Sequence, residues 1–128
     1  MAIFAPDTTL DNMLDTIADN CTRVTICSTQ PTTYTEGNAT YALADVTVTA
    51  GAGAGDFTIG NGDTSGRKLT LLQQTGVAVD TSGTAQHIAL LDVANTLLLA
   101  VTTCTSQSVT SGNTATINAF DLELRDLA

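Results

Sequence analysis

FTIGNGDTSGRKLTLLQQTGVAVDTSGTAQHIALL, residues 57–91, sets short runs of β-branched and aliphatic residues between glycine-bearing turns. Such runs predict strands at Phe57 to Gly60, Arg67 to Gln74, Val77 to Asp80 and Thr84 to Leu91. Two more follow at Thr96 to Thr103 and Asn113 to Phe120, the last continuing through Asp121-Leu-Glu-Leu-Arg125. Thr-Ser-Gly recurs at 64, 81 and 110 as turn punctuation, too unevenly spaced for a solenoid. No helix-length segment intervenes, so the pattern predicts a mainly β fold, an antiparallel β-sandwich rather than a βαβ array. Threonine accounts for 25 of the 128 residues, and a β-branched residue at that density favours strands.

Working back toward the N-terminus, Gly51-Ala-Gly-Ala-Gly55 is a flexible run too short to link domains, and Tyr41 to Thr49 reads as a strand. Residues 29–40 are polar and turn-rich and predict a long surface loop. Val24 and Ile26 alternate with Arg23, Thr25 and Cys27, the pattern of a half-buried strand. Before them the period changes to 3.6. Leu10, Met13, Leu14, Ile17 and Ala18 form one helix face that Cys21 extends, with Asp7 or Thr8 as cap and Asn20 as stop. Pro6 discourages helix at Ala5. The expected organisation is an N-terminal arm, 1–7, and one sandwich domain, 8–128, that includes the helix 8–20.

The chain carries 13 acidic and 4 basic residues, a formal charge of −9, which disfavours contact with a phosphate backbone. Without Trp and with aromatics at 4%, its core must be aliphatic. The opening residues lack a basic, apolar export signal, and no run approaches the roughly 20 apolar residues of a membrane span. Synthesis in a cytoplasm is therefore expected. Cys21, Cys27 and Cys104 have no metal-ligand spacing and read as buried free thiols; a Cys21–Cys27 bridge is disfavoured in a reducing compartment. The same reasoning discounts Asn20 and Asn38 as glycosylation acceptors.

Few residues suggest chemistry. Gly62-Asp-Thr-Ser-Gly66 resembles a serine-protease nucleophile motif, but His87, the sole histidine, follows it in the wrong order. Asn61, Asp63, Ser65 and Gly66 match the first positions of an EF-hand loop, yet Leu72 stands where a bidentate Glu is required. A hairpin turn, with Asn and Asp bonding their own backbone, is the simpler expectation. Gly60 to Lys68 lacks P-loop spacing. His87 is expected to be structural, hydrogen-bonded to backbone or to a neighbouring Thr, on a strand face shared with Ala85, Ala89 and Leu91. Asp11, Asp15 and Asp19 form a carboxylate row along the helix, expected to be a solvated face, with a metal or a basic partner as the alternative. No catalytic residue, metal ligand or cofactor is expected.

Three segments resemble small virion-associated proteins of tailed bacteriophages. They are Gly62-Asp-Thr-Ser-Gly-Arg-Lys-Leu-Thr, Gly83-Thr-Ala-Gln-His-Ile-Ala-Leu-Leu-Asp-Val-Ala-Asn-Thr-Leu-Leu-Leu-Ala-Val-Thr-Thr-Cys104, and Val109-Thr-Ser-Gly-Asn-Thr-Ala-Thr-Ile-Asn-Ala-Phe-Asp121. The resemblance spans the last half to two thirds of the chain. It implies a structural protein, not an enzyme, that decorates the assembled head and is located in the virion. The major capsid protein or another virion protein would be its partner, with many copies or a homo-oligomer on the particle. Ala2, Ile3 and Phe4 are the expected partner contacts, because Pro6 separates these apolar residues from the helix. A neck or tail component, or a carbohydrate-binding sandwich module, are the alternatives; the latter would want more aromatic platforms than Tyr34 and Tyr41.

Overall fold

The computed structural model describes residues 5–125, so Ala2, Ile3 and Phe4 lie outside the described residues. Its elements are α1 (Asp7–Asn20), β1 (Arg23–Cys27), β2 (Ala42–Thr47), β3 (Phe57–Asn61), β4 (Arg67–Leu71), β5 (Gln74–Ala78), β6 (Gly83–Asp92), β7 (Leu97–Val109), β8 (Thr114–Ile117) and β9 (Phe120–Leu124). Three sheets run in the orders β2-β1-β6-β7, β3-β4-β9 and β5-β8, and every ladder is antiparallel. The chain is thus mainly β with one short N-terminal helix, as its spacing predicts, and antiparallel sheets of this kind fit a sandwich. Contacts gather it into two compact units, one from 5–20, 49–73 and 118–125, the other from Cys21–Val48 and Gln74–Ile117.

The first unit is a helix on a three-stranded sheet. Register puts Phe57, Ile59, Leu69, Leu71, Phe120 and Leu122 on one face, and Thr58, Lys68, Thr70, Asp121 and Glu123 on the other. This clean alternation is what a sheet with one apolar face requires. Helix α1 packs against β3 and β4, burying Leu10, Leu14 and Ala18. Met13, expected in the stripe, is 53% exposed, because residues at i, i+4 and i+8 already fill the narrow contact. Asp7 lies inside the first turn rather than capping it; the Pro6 carbonyl accepts from Thr9 N at 2.9 Å. Asn20 closes the helix by donating Nδ2 to the Thr16 carbonyl at 2.7 Å. Leu14→Ala is expected to cost about 2–4 kcal/mol, read from the urea midpoint, since Leu14 is 1% exposed.

In the second unit β1 and β6 are buried on both faces, where alternation predicts only one. Val24, Ile26, Ile88 and Leu90 share one face; Thr25, Cys27, Ala89 and Leu91 share the other. The reason lies in the segment between β1 and β2, expected as a surface loop. Its residues Glu36–Thr40 form one wide helical turn, closed by Tyr41 N donating to the Glu36 carbonyl at 2.9 Å, and both Gly37 and Pro31 are buried. Tyr34, Tyr41, Leu98 and Val101 pack on Cys27, Ala89 and Leu91. Thr25 Oγ1 donates to the Gly37 carbonyl at 2.7 Å, satisfying a polar group that would otherwise be buried alone. A Cβ at position 37 would stand 3.3 Å from Leu91 Cδ2, so glycine lets the turn lie flat. Arg23 ties the same turn down through Asn38 Oδ1 at 2.8 Å.

Strand ends differ from expectation where the chain changes sheet. The strand expected from Arg67 to Gln74 stops at Leu71, and β5 begins at Gln74 in the other unit. The last expected strand divides at Asn118-Ala119 into β8 and β9, which likewise belong to different units. β7 runs six residues beyond Thr103. At the opposite edge of its sheet, β2 is capped: Ala44 bridges Val79, and Asp80 N and Thr81 N donate to the Leu43 carbonyl at 2.8 and 3.1 Å.

Candidate functional site

The carboxylate row on α1 meets an arginine from β4. Arg67 sits on the apolar side of its sheet, where its Nε donates to Asp11 Oδ1 and its Nη1 to Asn61 Oδ1, each at 2.6 Å. That hydrogen bond to Asp11 holds the guanidinium pKa above its already high usual value. A depression of about 390 Å³ opens beside the pair, lined by Asp11, Asp15, Ala52, Gly53, Thr58, Ile59 and Arg67. Asp15 is half-buried in this wall and Asp19 is exposed. The row is therefore not three free carboxylates: its first member is committed to an internal cation, which weakens the pull on any external one.

A second polar cluster covers the other face of that sheet. Lys68 Nζ donates to Asp63 at 2.7 Å and Asp121 at 3.4 Å, and Thr70 Oγ1 donates to Asp121 at 2.6 Å. The Asp63 bond leads the rise in the Lys68 pKa. Thr64 N donates to Glu123 Oε1 at 3.1 Å, and this backbone bond leads the fall in the Glu123 pKa; Glu36 is lowered in the same way, first by Thr32 N. The loop resembling an EF-hand is a β3–β4 turn, as expected, but Asn61 and Asp63 accept from Arg67 and Lys68 rather than from their own backbone. The two long cations start on β4 and reach these acceptors across the sheet. Glu36 and Glu123, with pKa values below those of the unfolded chain, add stability that is present above about pH 4.3 and lost as pH falls through their folded values. The urea midpoint is expected to be flat near neutrality and to drop in acid, with a smaller acid loss in Glu123→Gln.

Burial pushes all three thiols toward the protonated form, Cys21 to about 11, and none is in a disulfide. Neutral thiols are poor nucleophiles and poor metal ligands. Cys21 and Cys27 are buried as expected, whereas Cys104, expected to be buried too, is half-buried. His87 departs from expectation, since its Nδ1 is buried without a hydrogen-bond partner. Its register neighbours are Cys27, whose thiol donates to the Gly37 carbonyl, and Thr103, which is exposed. Among the described residues no group of three His, Cys, Asp or Glu is placed to hold a metal ion, and no helix is long and apolar enough to cross a membrane. EDTA and reductant are each expected to leave the melting temperature unchanged, and a fall with either would reveal a metal or disulfide that maintains the fold.

One feature legible in the sequence escapes a search for chemical motifs, because it consists of what is missing. Between Asp92 and Asp121 there is no Asp, Glu, Lys, Arg or His, although the chain as a whole carries −9. This neutral stretch forms β7 and β8, whose exposed positions are mostly Thr, Ser and Gln, with Leu97 52% exposed at the start of β7. The charges gather elsewhere, on α1, the β3–β4 turn and β9. The second unit therefore carries an uncharged outer strand, β7, beside the uncharged β8. Comparison with protein-family models, with curated proteins and with solved structures gives no match.

Proposed function

We propose that the chain is a structural protein of a tailed-bacteriophage virion, most simply a decoration protein bound to the assembled head. The observation that carries this reading is the neutral stretch from Val93 to Phe120 on an otherwise acidic chain. It lies largely within the segments that resemble virion-associated proteins, and it supplies β7 and β8. The uncharged Thr, Ser and aliphatic side chains of this stretch make van der Waals contacts to a protein neighbour at little desolvation cost. Each copy needs only a modest interface, because repetition over symmetric sites raises the avidity. The acidic remainder steers the chain toward basic patches of a shell, so attachment weakens as salt rises.

The test is gold-labelled antibody against the chain, applied to negatively stained virions of a phage whose genome encodes it. Label distributed over heads supports decoration. Label confined to tails or necks overturns decoration in favour of a tail component, and virions without label overturn the virion reading altogether.

A further inference from the structure

β7 is the longest strand of the molecule, and among the described residues it has a strand partner, β6, on one side only. Folds usually guard such an edge with Lys, Pro or an inward charge, because its unpaired N–H and C=O groups template another strand. β7 has none of these guards in Leu97-Leu-Leu-Ala-Val-Thr-Thr-Cys-Thr-Ser-Gln-Ser-Val109. The opposite edge of the same sheet is closed by the Ala44–Val79 bridge, so only the β7 side is left open. Bulges bend β7 against β6 on both sides of its middle, but the pairing of Ala100–Thr103 between them is regular.

We infer that β7 is a homodimer edge, with a second copy of this chain adding its own β7 antiparallel about a twofold axis at Thr103, so that Thr103 faces its counterpart. Charge fixes how a second copy can approach. Two chains of −9 repel over most of their surfaces, and the approach that brings no charge against charge is neutral strand to neutral strand. An antiparallel pair of identical strands is self-complementary and closes at two, without forming a fibre. It also places threonines side by side, a favourable cross-strand pairing. The inference holds wherever the chain resides and does not require a virion.

The full chain is examined by sedimentation equilibrium from micromolar to submillimolar concentration, beside two double variants at exposed positions, Thr103→Lys with Thr105→Lys and Thr103→Glu with Thr105→Glu. The wild type is expected to be a dimer. Each variant alone should dissociate with a Kd raised at least about tenfold, and an equimolar mixture of the two should regain dimer, because opposite charges then face each other. Hydrogen exchange on the unmodified chain provides a second measurement, with protection that grows with concentration in β7 and not in β3 or β4. A wild type that stays monomeric throughout overturns the inference, as does either variant dimerising like the wild type, or exchange in β7 that does not depend on concentration. A monomeric chain that still labels phage heads would sink the dimer edge and leave the proposed function standing; a dimer absent from virions would do the reverse.

Discussion

Phe57→Ala is expected to be among the most damaging single truncations, costing about 3–5 kcal/mol. Phe57 is the largest of the fully buried side chains, at 0% exposure, on the apolar face of the sheet that α1 covers. It stands opposite Leu71, which stands opposite Phe120, so the ring is the first member of a three-strand apolar row. Few core residues are aromatic in a chain with only three Phe, and aliphatic neighbours cannot rotate to refill a ring-sized void. Phe57→Leu keeps most of the volume and should cost less than about 1.5 kcal/mol. Chemical denaturation of both variants separates the cavity from the loss of aromaticity; similar costs for the two would show that the site collapses around alanine.

Gly66→Ala should cost about 3 kcal/mol or more, by a different mechanism. Gly66 adopts φ +69, a region L side chains rarely enter, and an added Cβ would run into the Leu124 carbonyl oxygen and stand 2.9 Å from Arg125 Cα. Backbone, unlike the tip of a side chain, cannot turn aside. The result is displacement of β9 from its register on β4, where Arg67 faces Leu124. Gly76→Ala and Gly112→Ala supply the control, since both glycines have positive φ with nothing within 4 Å of the added Cβ. They should show the conformational penalty alone, about 1 kcal/mol. A Gly66 variant no worse than these would mean that β9 moves away freely.

Local spacing carried much of the fold. The 3.6-residue recurrence of Leu10, Leu14 and Ala18 and the glycine-punctuated runs after Phe57 marked elements that form close to their expected positions. Burial was less legible. A half-buried strand and a doubly buried one differ in what lies above them, and for β1 that is a turn whose polar letters, Glu36 and Asn38, conceal a buried Gly37. Strand ends at Leu71 and Ile117 were invisible because the chain leaves one unit for the other without a glycine or proline to mark the step. On the candidate site, the acidic row was readable and its neutralisation was not, for Arg67 is 56 residues away in sequence from Asp11. The neutral stretch needed no structure to be seen. Its meaning did, because only the sheet order shows that it includes an edge strand.

The first unit draws on three separated segments, with α1 at one end of the described chain and β9 at the other. During synthesis the helix and β3 and β4 emerge long before β9 exists to pair with β4, so their shared apolar face waits, incomplete, while the remainder of the second unit, Gln74–Ile117, is translated. Closing so distant a contact is slow, since the entropy of the long loop must be overcome before the ladder repays it. Until then β4 presents an open edge of its own. A nascent chain stalled before Phe120 is accordingly the form most prone to aggregate, and chaperone occupancy along the message should be highest just before β9 leaves the ribosome.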